Sequence, residues 1–415
     1  MASIRHYLIV TASYWGFTLT DGALRMLVLL HFYSLGYTPF TLASLFLLYE
    51  AAGIFANLGG GWLATRFGIP RMLATGLALQ IGGLLMLSAL DPAWSAAASV
   101  AWVVAAQGVS GVAKDLTKTA SKSAIKATSE GGSGQLFRWV AWFTGSKNAM
   151  KGVGFFLGGL LLQAAGFQGA LWLMAGLLGV VLISGLLSLP HQLGKAKASK
   201  SFAELFAKSS AVNLMAGARI FLFGSRDVWF VVGLPVFLYG NGWSFTQVSG
   251  FLAAWTIGYG AVQAFAPSVI RRSPDGLSRE VPEARIWGMV LTAIPAVLAI
   301  AVVAAPVRPD LIVVAGLAVF GFVFAVISSL HSYLILAYAG SKKAAEDVGF
   351  YYAANAAGRL MGIVLSGVLA EFGGLAACLW GSAAMLAICQ VVVLLLPSGV
   401  DQRRPTIVVS APGSN

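Results

Sequence analysis

About twelve apolar stretches, each roughly twenty or more residues long and parted by short polar segments, run the length of this chain. A stretch of that length crosses a hydrocarbon core roughly 30 Å thick as a helix. The expected spans are 7–33, 40–65, 71–90, 94–113, 138–164, 169–189, 211–239, 245–269, 285–305, 311–338, 348–371 and 375–396. Each run is continuous rather than alternating in polarity, which favours helices over a barrel. Only 10% of the residues are charged and 58% are apolar, which excludes an ordinary soluble globule. The first stretch is too long for a signal core and lacks a small-residue cleavage site after it, so it reads as an uncleaved span.

Basic residues fix the expected orientation, because Lys and Arg are retained in cytoplasmic loops. With both termini inside, most of the Lys and Arg fall on the cytoplasmic side, among them Arg66, Arg71, Lys114, Lys118, Lys195, Lys197, Lys200, Arg271, Arg272, Lys342 and Lys343, and Arg308 alone falls in an outer loop. The formal charge of +12 is then a topology signal, and nucleic-acid binding is not implied. Cys378 and Cys389 lie in the last apolar region and suggest neither a disulfide nor a thiolate metal site. No P-loop and no metal-ligand cluster occurs, so no catalytic chemistry, cofactor or metal is expected and ATP-driven transport by this chain alone is disfavoured.

The chain also repeats itself. At an offset of 206, Leu8, Ala12, Phe17, Asp21, Tyr33 and Gly36 fall on Leu214, Ala218, Phe223, Asp227, Tyr239 and Gly242. At an offset of 208, Gly154, Gly159, Gly166, Leu171 and Trp172 fall on Gly362, Gly367, Gly374, Leu379 and Trp380, and Lys151 meets Arg359. Two six-helix halves in one orientation follow, 1–190 and 211–397, with a cytoplasmic linker at 191–210 and a cytoplasmic tail at 398–415. This is an all-α membrane protein of twelve transmembrane helices, and its two pseudo-symmetric halves resemble the major facilitator superfamily. The segment after the second span is similar to that superfamily's signature, with Gly61, Leu63, Ala64, Arg66, Gly68 and Arg71 in place and Thr65 where the signature has Asp.

Charges remain inside the spans: Arg25, Lys147, Lys151, Arg219, Arg226 and Arg359 against Asp21, Glu50 and Asp227. An ionised side chain at the bilayer centre costs at least about 2.5–3.5 kcal/mol, so these groups must face the interior or a wet cavity. A pocket with surplus positive charge calls for an anionic occupant. Lys147 and Lys151 share one face of the fifth span, about 6 Å apart along its axis. Asn355 and Arg359 stand at the related positions of the other half, and a guanidinium fork suits phosphate or arsenate oxygens. Arg25, Lys147, Asn148, Lys151, Asn355 and Arg359 are therefore the candidate substrate-binding residues. Alternatively, the lysines neutralise acids such as Asp21 or Glu50. Asp21 and Arg25, four apart, are expected to pair. Arg226 and Asp227, adjacent on a helix, are not expected to face each other.

Glu50 has no sequence-local partner and, with Asp21 and Asp227, is a candidate proton carrier; a salt bridge to Arg25 or a lysine is the alternative. Arg219, Arg226, Gln107 and Tyr259 are secondary candidates. Lysines at 114, 118, 122 and 126 form a stripe that reads either as an interfacial helix on anionic lipid or as an electropositive entrance.

The runs 14–32, 113–118 and 144–152, which include Thr20-Asp21-Gly22-Ala23-Leu24-Arg25, Ala113-Lys114-Asp115-Leu116 and Ser146-Lys147-Asn148-Ala149-Met150-Lys151, resemble the ArsJ family of organoarsenical efflux permeases. The resemblance covers most of the chain. It implies a monomeric transporter of the bacterial inner membrane that exports 1-arseno-3-phosphoglycerate, formed from arsenate by a partner glyceraldehyde-3-phosphate dehydrogenase, and so confers arsenate resistance. Competing readings are an exporter or exchanger of other organic phosphates, a multidrug exporter, and a membrane sensor that binds an anion without moving it. The positive balance counts against the multidrug reading.

Overall fold

In the hydrocarbon core a backbone must satisfy its own hydrogen bonds, and a single chain of long apolar runs does so as helices. The computed structural model describes residues 2–55, 67–128, 133–190, 209–270, 273, 277–304, 308–338 and 344–398; the side chains at 2–5, 7, 122–128, 133–145, 267 and 344–349 are not described. Among the described residues all regular structure is helical. The helices are α1 (Ala2–Ser34), α2 (Pro39–Phe55, interrupted at 45–46), α3 (Ile69–Ser88), α4 (Ala96–Thr128), α5 (133–165) and α6 (167–188) in the first half. In the second they are α7 (Ser210–Gly240), α8 (Phe245–Val269), α9 (Glu280–Ala304), α10 (Pro309–Tyr338), α11 (344–372) and α12 (375–394).

Among the described residues seven helical stretches are long and apolar enough to span a membrane, and two of them, Ser146–Ser188 and Phe350–Leu394, each hold two spans joined at a kink. With α1, α2 and α8 the set is twelve. The kinks are glycines with positive φ, Gly166 at 69° and Gly374 at 60°, a region that costs other residues a Cβ clash. Those two positions are 208 apart, the offset of the sequence repeat. Gly36 and Gly242, 206 apart, both turn at φ 86°. The repeat in the sequence is thus a repeat in the backbone.

Helix contacts follow the same symmetry. α1 packs on α5 and α6 as α7 packs on α11 and α12, and α3 pairs with α4 as α9 pairs with α10. Between the halves, α5 meets α8 and α11 meets α2. Small residues set these distances: a Cβ at Gly154 would overlap the Leu19 carbonyl of α1, and one at Gly362 would lie 2.7 Å from the Gly224 carbonyl of α7. Gly159 faces Ser249 and the Phe245 carbonyl of α8, while its counterpart Gly367 faces Ala43 and the Pro39 carbonyl of α2. The Tyr33 and Tyr239 rings, also 206 apart, touch edge-on at 5.5 Å, so the pseudo-twofold axis runs between them. At the same end, Glu371 accepts from the Phe40 N–H at 2.9 Å and Thr246 donates to Gln163 at 2.6 Å. The halves are closed there. Trp172 and Trp380 point outward from related positions, 59% and 50% exposed, as residues facing lipid do.

Two expectations change. α4 continues to Thr128 rather than ending near 113, so the lysine stripe is the end of a spanning helix and not a separate interfacial one. The side chains of Lys122 and Lys126 lie outside those described, as do the signature residues Gly61, Leu63, Ala64, Thr65 and Arg66, the linker lysines, Arg271, Arg272, Lys342, Lys343 and the tail. The described remainder of the signature places Gly68 before α3 at φ 80° and Arg71 on its exposed first turn.

Gly358 presses on the Ile220 carbonyl of α7, whereas Gly176 has open space around it. Gly358→Val is therefore expected to cost about 1–3 kcal/mol by overpacking and to lower the unfolding midpoint in detergent, with Gly176→Val close to wild type. Equal midpoints for the two variants would contradict the close approach of α7 and α11.

Candidate functional site

Charged side chains from both halves meet at one carboxylate. Glu50, on α2 and 1% exposed, accepts from Arg25 of α1 at 2.5 Å and from Arg359 of α11 at 2.6 Å. Lys114 of α4 stands 3.9 Å from its other oxygen. One buried acid thus holds cations from three helices and bridges the halves. Arg359 also reaches Asp227 of α7 through Nε at 3.3 Å, and Arg226 pairs with the same Asp227 at 2.5 Å.

Aromatic faces complete the cage. The Arg25 guanidinium lies 5.3 Å from the Phe46 centroid and 5.4 Å from that of Tyr49, and Lys114 Nζ sits 3.8 Å over the Tyr49 ring. The Tyr49 hydroxyl donates to Asp21 at 2.5 Å. Lys151 of α5 lies in the electrostatic reach of Arg359, Arg25, Arg226 and Asp21, with Nζ 5.5 Å from the Phe155 centroid. Among the described residues no carboxylate comes within ion-pair distance of it. The cluster holds five cations (Arg25, Lys114, Lys151, Arg226, Arg359) and three carboxylates (Asp21, Glu50, Asp227), a formal excess of two.

Arg25, Lys151, Arg359, Asp21, Glu50, Asp227 and Arg226, all singled out from the sequence, are thereby brought together. Lys147 is half-buried one turn along α5. Asn148 donates to Gln263 of α8 at 3.4 Å and packs on Gly260, so it joins the halves. Asn355 Oδ1 and Gln107 Nε2 are buried without a hydrogen-bond partner among the described residues. Tyr259 stacks on Trp255 and donates to or accepts from Ser328 at 3.4 Å, and Arg219 donates to the Ser328 carbonyl at 3.2 Å, apart from the cluster.

Two pairings differ from the sequence expectation. Asp21 takes the Tyr49 hydroxyl and leaves Arg25 to Glu50, because a guanidinium flanked by two rings of α2 is aimed at the carboxylate of that helix. Of the two readings for Glu50, the salt bridge is the one observed. Arg226 and Asp227 do face each other, since the long Arg side chain folds back across the angle between adjacent helical positions. Lys114 and Tyr49 were missed. From the sequence the fourth span is expected to end near 113, which leaves Lys114 on the cytoplasmic side, whereas α4 runs on to Thr128; the Asp115 partner of Lys118 three residues on, at 3.3 Å, is the sequence signal that the helix continues.

A surface groove of about 690 Å³ between α5 and α8 is lined by Leu160, Gln163, Ala164, Ser244, Thr246 and Gln247 and carries no charge. It lies at the closed end and has no part in the cluster. Among the described residues no group of His, Cys, Asp and Glu could hold a metal ion.

The chain matches the Major Facilitator Superfamily profile over residues 7–362. No curated protein sequence matches it. Among solved structures it is similar to a point mutant of the nucleoside transporter NupG, at 13% identity and a TM-score of 0.71 over 95% of this chain and 99% of that one. It is also similar to a POT family transporter in complex with 5-aminolevulinic acid, at 14% identity and a TM-score of 0.70 over 93% and 94%. At such identities the likeness shows the fold.

Removing the shared acid leaves Arg25 without an acid partner among the described residues and Arg359 with Asp227 alone. Glu50→Gln is expected to destabilise by about 3–5 kcal/mol, against about 1.5–3 kcal/mol for Tyr49→Phe, which loses one hydrogen bond to a charged group. Unfolding midpoints in detergent rank the two, and a Glu50→Gln protein as stable as Tyr49→Phe would contradict the shared-acid arrangement.

Proposed function

Because the chain belongs to the Major Facilitator Superfamily, we propose that it is a secondary transporter whose cargo is a small, multiply charged anion exported from the cytoplasm. The observation that carries this reading is the cationic excess around Glu50. A fixed surplus at mid-depth repels itself and is relieved by an anion. Arg359 and Arg25 offer planar forks to phosphate or arsenate oxygens, and Lys151 offers a point charge. We assign substrate binding to Arg25, Lys147, Lys151 and Arg359, with Asn148 and Asn355 beside them. Residues 1–190 and 211–397 are the two halves that rock against each other, in a bacterial inner membrane with both termini cytoplasmic.

The cargo that fits this chemistry and the ArsJ resemblance together is 1-arseno-3-phosphoglycerate. It carries an oxyanion at each end and little apolar surface. A glyceraldehyde-3-phosphate dehydrogenase would supply it from arsenate, and hydrolysis of the labile ester outside would make export a route to arsenate resistance. Trivalent arsenic prefers thiolates, and Cys378 and Cys389 are buried with their sulfurs turned to backbone carbonyls.

Glu50 suggests how cargo and conformation are linked. An anion entering the cage competes with Glu50 for Arg359 and so loosens the one carboxylate that ties α2 to α11 at this depth. A ligand shifts a two-state equilibrium only through contacts that differ between the states, and this exchange of partners is such a difference. Proton antiport is the coupling we propose, with Asp21, Asp227 or, once the helices part and its cations leave it, Glu50 as the carrier.

Everted vesicles loaded by the dehydrogenase reaction test the reading. Lys151→Ala and Lys147→Ala, at wild-type membrane abundance, are each expected to abolish accumulation of arsenic and to abolish arsenate resistance in a sensitive host that carries the dehydrogenase. Full transport by either variant would displace the binding site from α5. Stoichiometric binding that never exceeds the protein present would identify a sensor, and equal accumulation of other organic phosphates an exchanger of those compounds. Glu50→Gln, Asp21→Asn and Asp227→Asn are expected to uncouple transport from an imposed pH gradient; three unaffected variants would remove proton antiport.

A further inference from the structure

A second cation lies buried in the C-terminal half and is left out of the Glu50 cluster. Arg219 of α7 is 4% exposed, and among the described residues no carboxylate is within ion-pair reach of it. Its guanidinium donates to the Ser328 carbonyl at 3.2 Å and to Ser328 Oγ at 3.4 Å, and is sandwiched by Phe223 at 3.9 Å and Tyr351 at 4.7 Å. Among the described residues its Nε has no partner. His331 of α10, three residues from Ser328, is wholly buried within electrostatic reach of Arg219, and neither of its ring nitrogens has a hydrogen-bond partner among the described residues. A fully buried imidazole with both nitrogens unused beside an uncompensated guanidinium is costly on two counts, and one oxyanion would satisfy both groups.

The position of Arg219 gives the pair a purpose. It precedes Arg226 by seven residues, about 10.5 Å or two turns along α7, so both side chains leave the helix on one side. Their guanidinium carbons lie 3.9 and 5.0 Å from the same Phe223 centroid, which puts the two cations no more than about 9 Å apart. That upper bound is within the reach of a three-carbon molecule with an oxyanion at each end. Arg226 belongs to the central cluster through Asp227, whereas Arg219 lies nearer the start of α7.

We propose that Arg219 and His331 form a second oxyanion subsite, in the C-terminal half between α7 and α10, which takes one terminal phosphate-like group of a bis-anionic cargo while the central cluster takes the other. The inference rests on the anion-transport reading and deepens it, because it makes the protein selective for molecules charged at both ends. Single anions fill the central cluster alone.

Binding to purified protein in detergent, with propyl phosphate and propane-1,3-diyl bisphosphate as probes, tests it. Wild type is expected to prefer the bisphosphate by at least about tenfold, the worth of one charge-assisted contact. In Arg219→Gln the preference is expected to fall to within about threefold, with propyl phosphate still bound at the central cluster. A wild type without preference, or an Arg219→Gln protein that keeps it, overturns the subsite. Loss of propyl phosphate binding in folded Arg219→Gln also overturns it, since Arg219 would then belong to the central site. Should Arg219→Gln not be recovered as a monodisperse protein, His331→Leu decides: it keeps the charge, is expected to reduce the preference, and overturns the subsite by leaving it unchanged. A wild type that binds neither probe rejects the anion reading itself, a result distinct from all of these.

Discussion

The constraint on which the rest of the structure depends is the cost of holding charge halfway across a bilayer. Glu50 meets it for three cations at once. With Arg25 on α1, Lys114 on α4 and Arg359 on α11 converging on it, the carboxylate offsets desolvation that each cation would otherwise bear alone, and it does so across the boundary between halves. The glycine-lined contacts of α5 with α8 and of α11 with α2 bring the backbones close enough for that reach. Packing and electrostatics are one design here. Small residues let the helices approach, and the approach makes a single acid sufficient for two guanidiniums.

Much of the fold was legible because a twofold repeat in a membrane protein leaves unusual residues at fixed offsets. Gly166 with Gly374 and Gly36 with Gly242 stand where the chain needs positive φ, which is why they recur while the leucines around them drift. The site was legible in membership and less so in pairing. A charge inside a span is conspicuous, so Arg25, Glu50, Asp227, Lys151 and Arg359 could be collected from the sequence. Which acid takes which base depends on rotation and tilt of whole helices, and sequence spacing says nothing of that between helices. Within one helix, spacing misled at Asp21 and Arg25, where Tyr49 and Glu50 from α2 offered each a better partner. Lys114 was hidden for another reason: a lysine near the end of an apolar run looks like a loop residue until the helix is seen to pass beyond it.

The cluster is asymmetric although the scaffold is not. Lys151 and Arg359 occupy related places, yet only Arg359 has acids in contact, Glu50 and Asp227. Lys151 lies under the combined field of Arg359, Arg25 and Arg226 with Asp21 as a distant counterweight. The cluster thus has one cation committed to holding the halves together and one, Lys151, with no carboxylate in ion-pair reach among the described residues. On the proposed anion reading, exchange of the incoming anion for Glu50 at Arg359 would convert binding into motion, and the Tyr33–Tyr239 contact and the Glu371–Phe40 bond mark the end that would part.

Whether this cluster receives negative charge is most directly read from the current that substrate binding drives. Proteoliposomes on a solid-supported membrane register charge displaced on rapid addition of a ligand. The account predicts a transient with the sign of negative charge entering the protein when a phosphate-bearing ligand is added, and its loss in Lys151→Gln. A transient evoked by organic cations, or an anion transient of full size in Lys151→Gln, would contradict it.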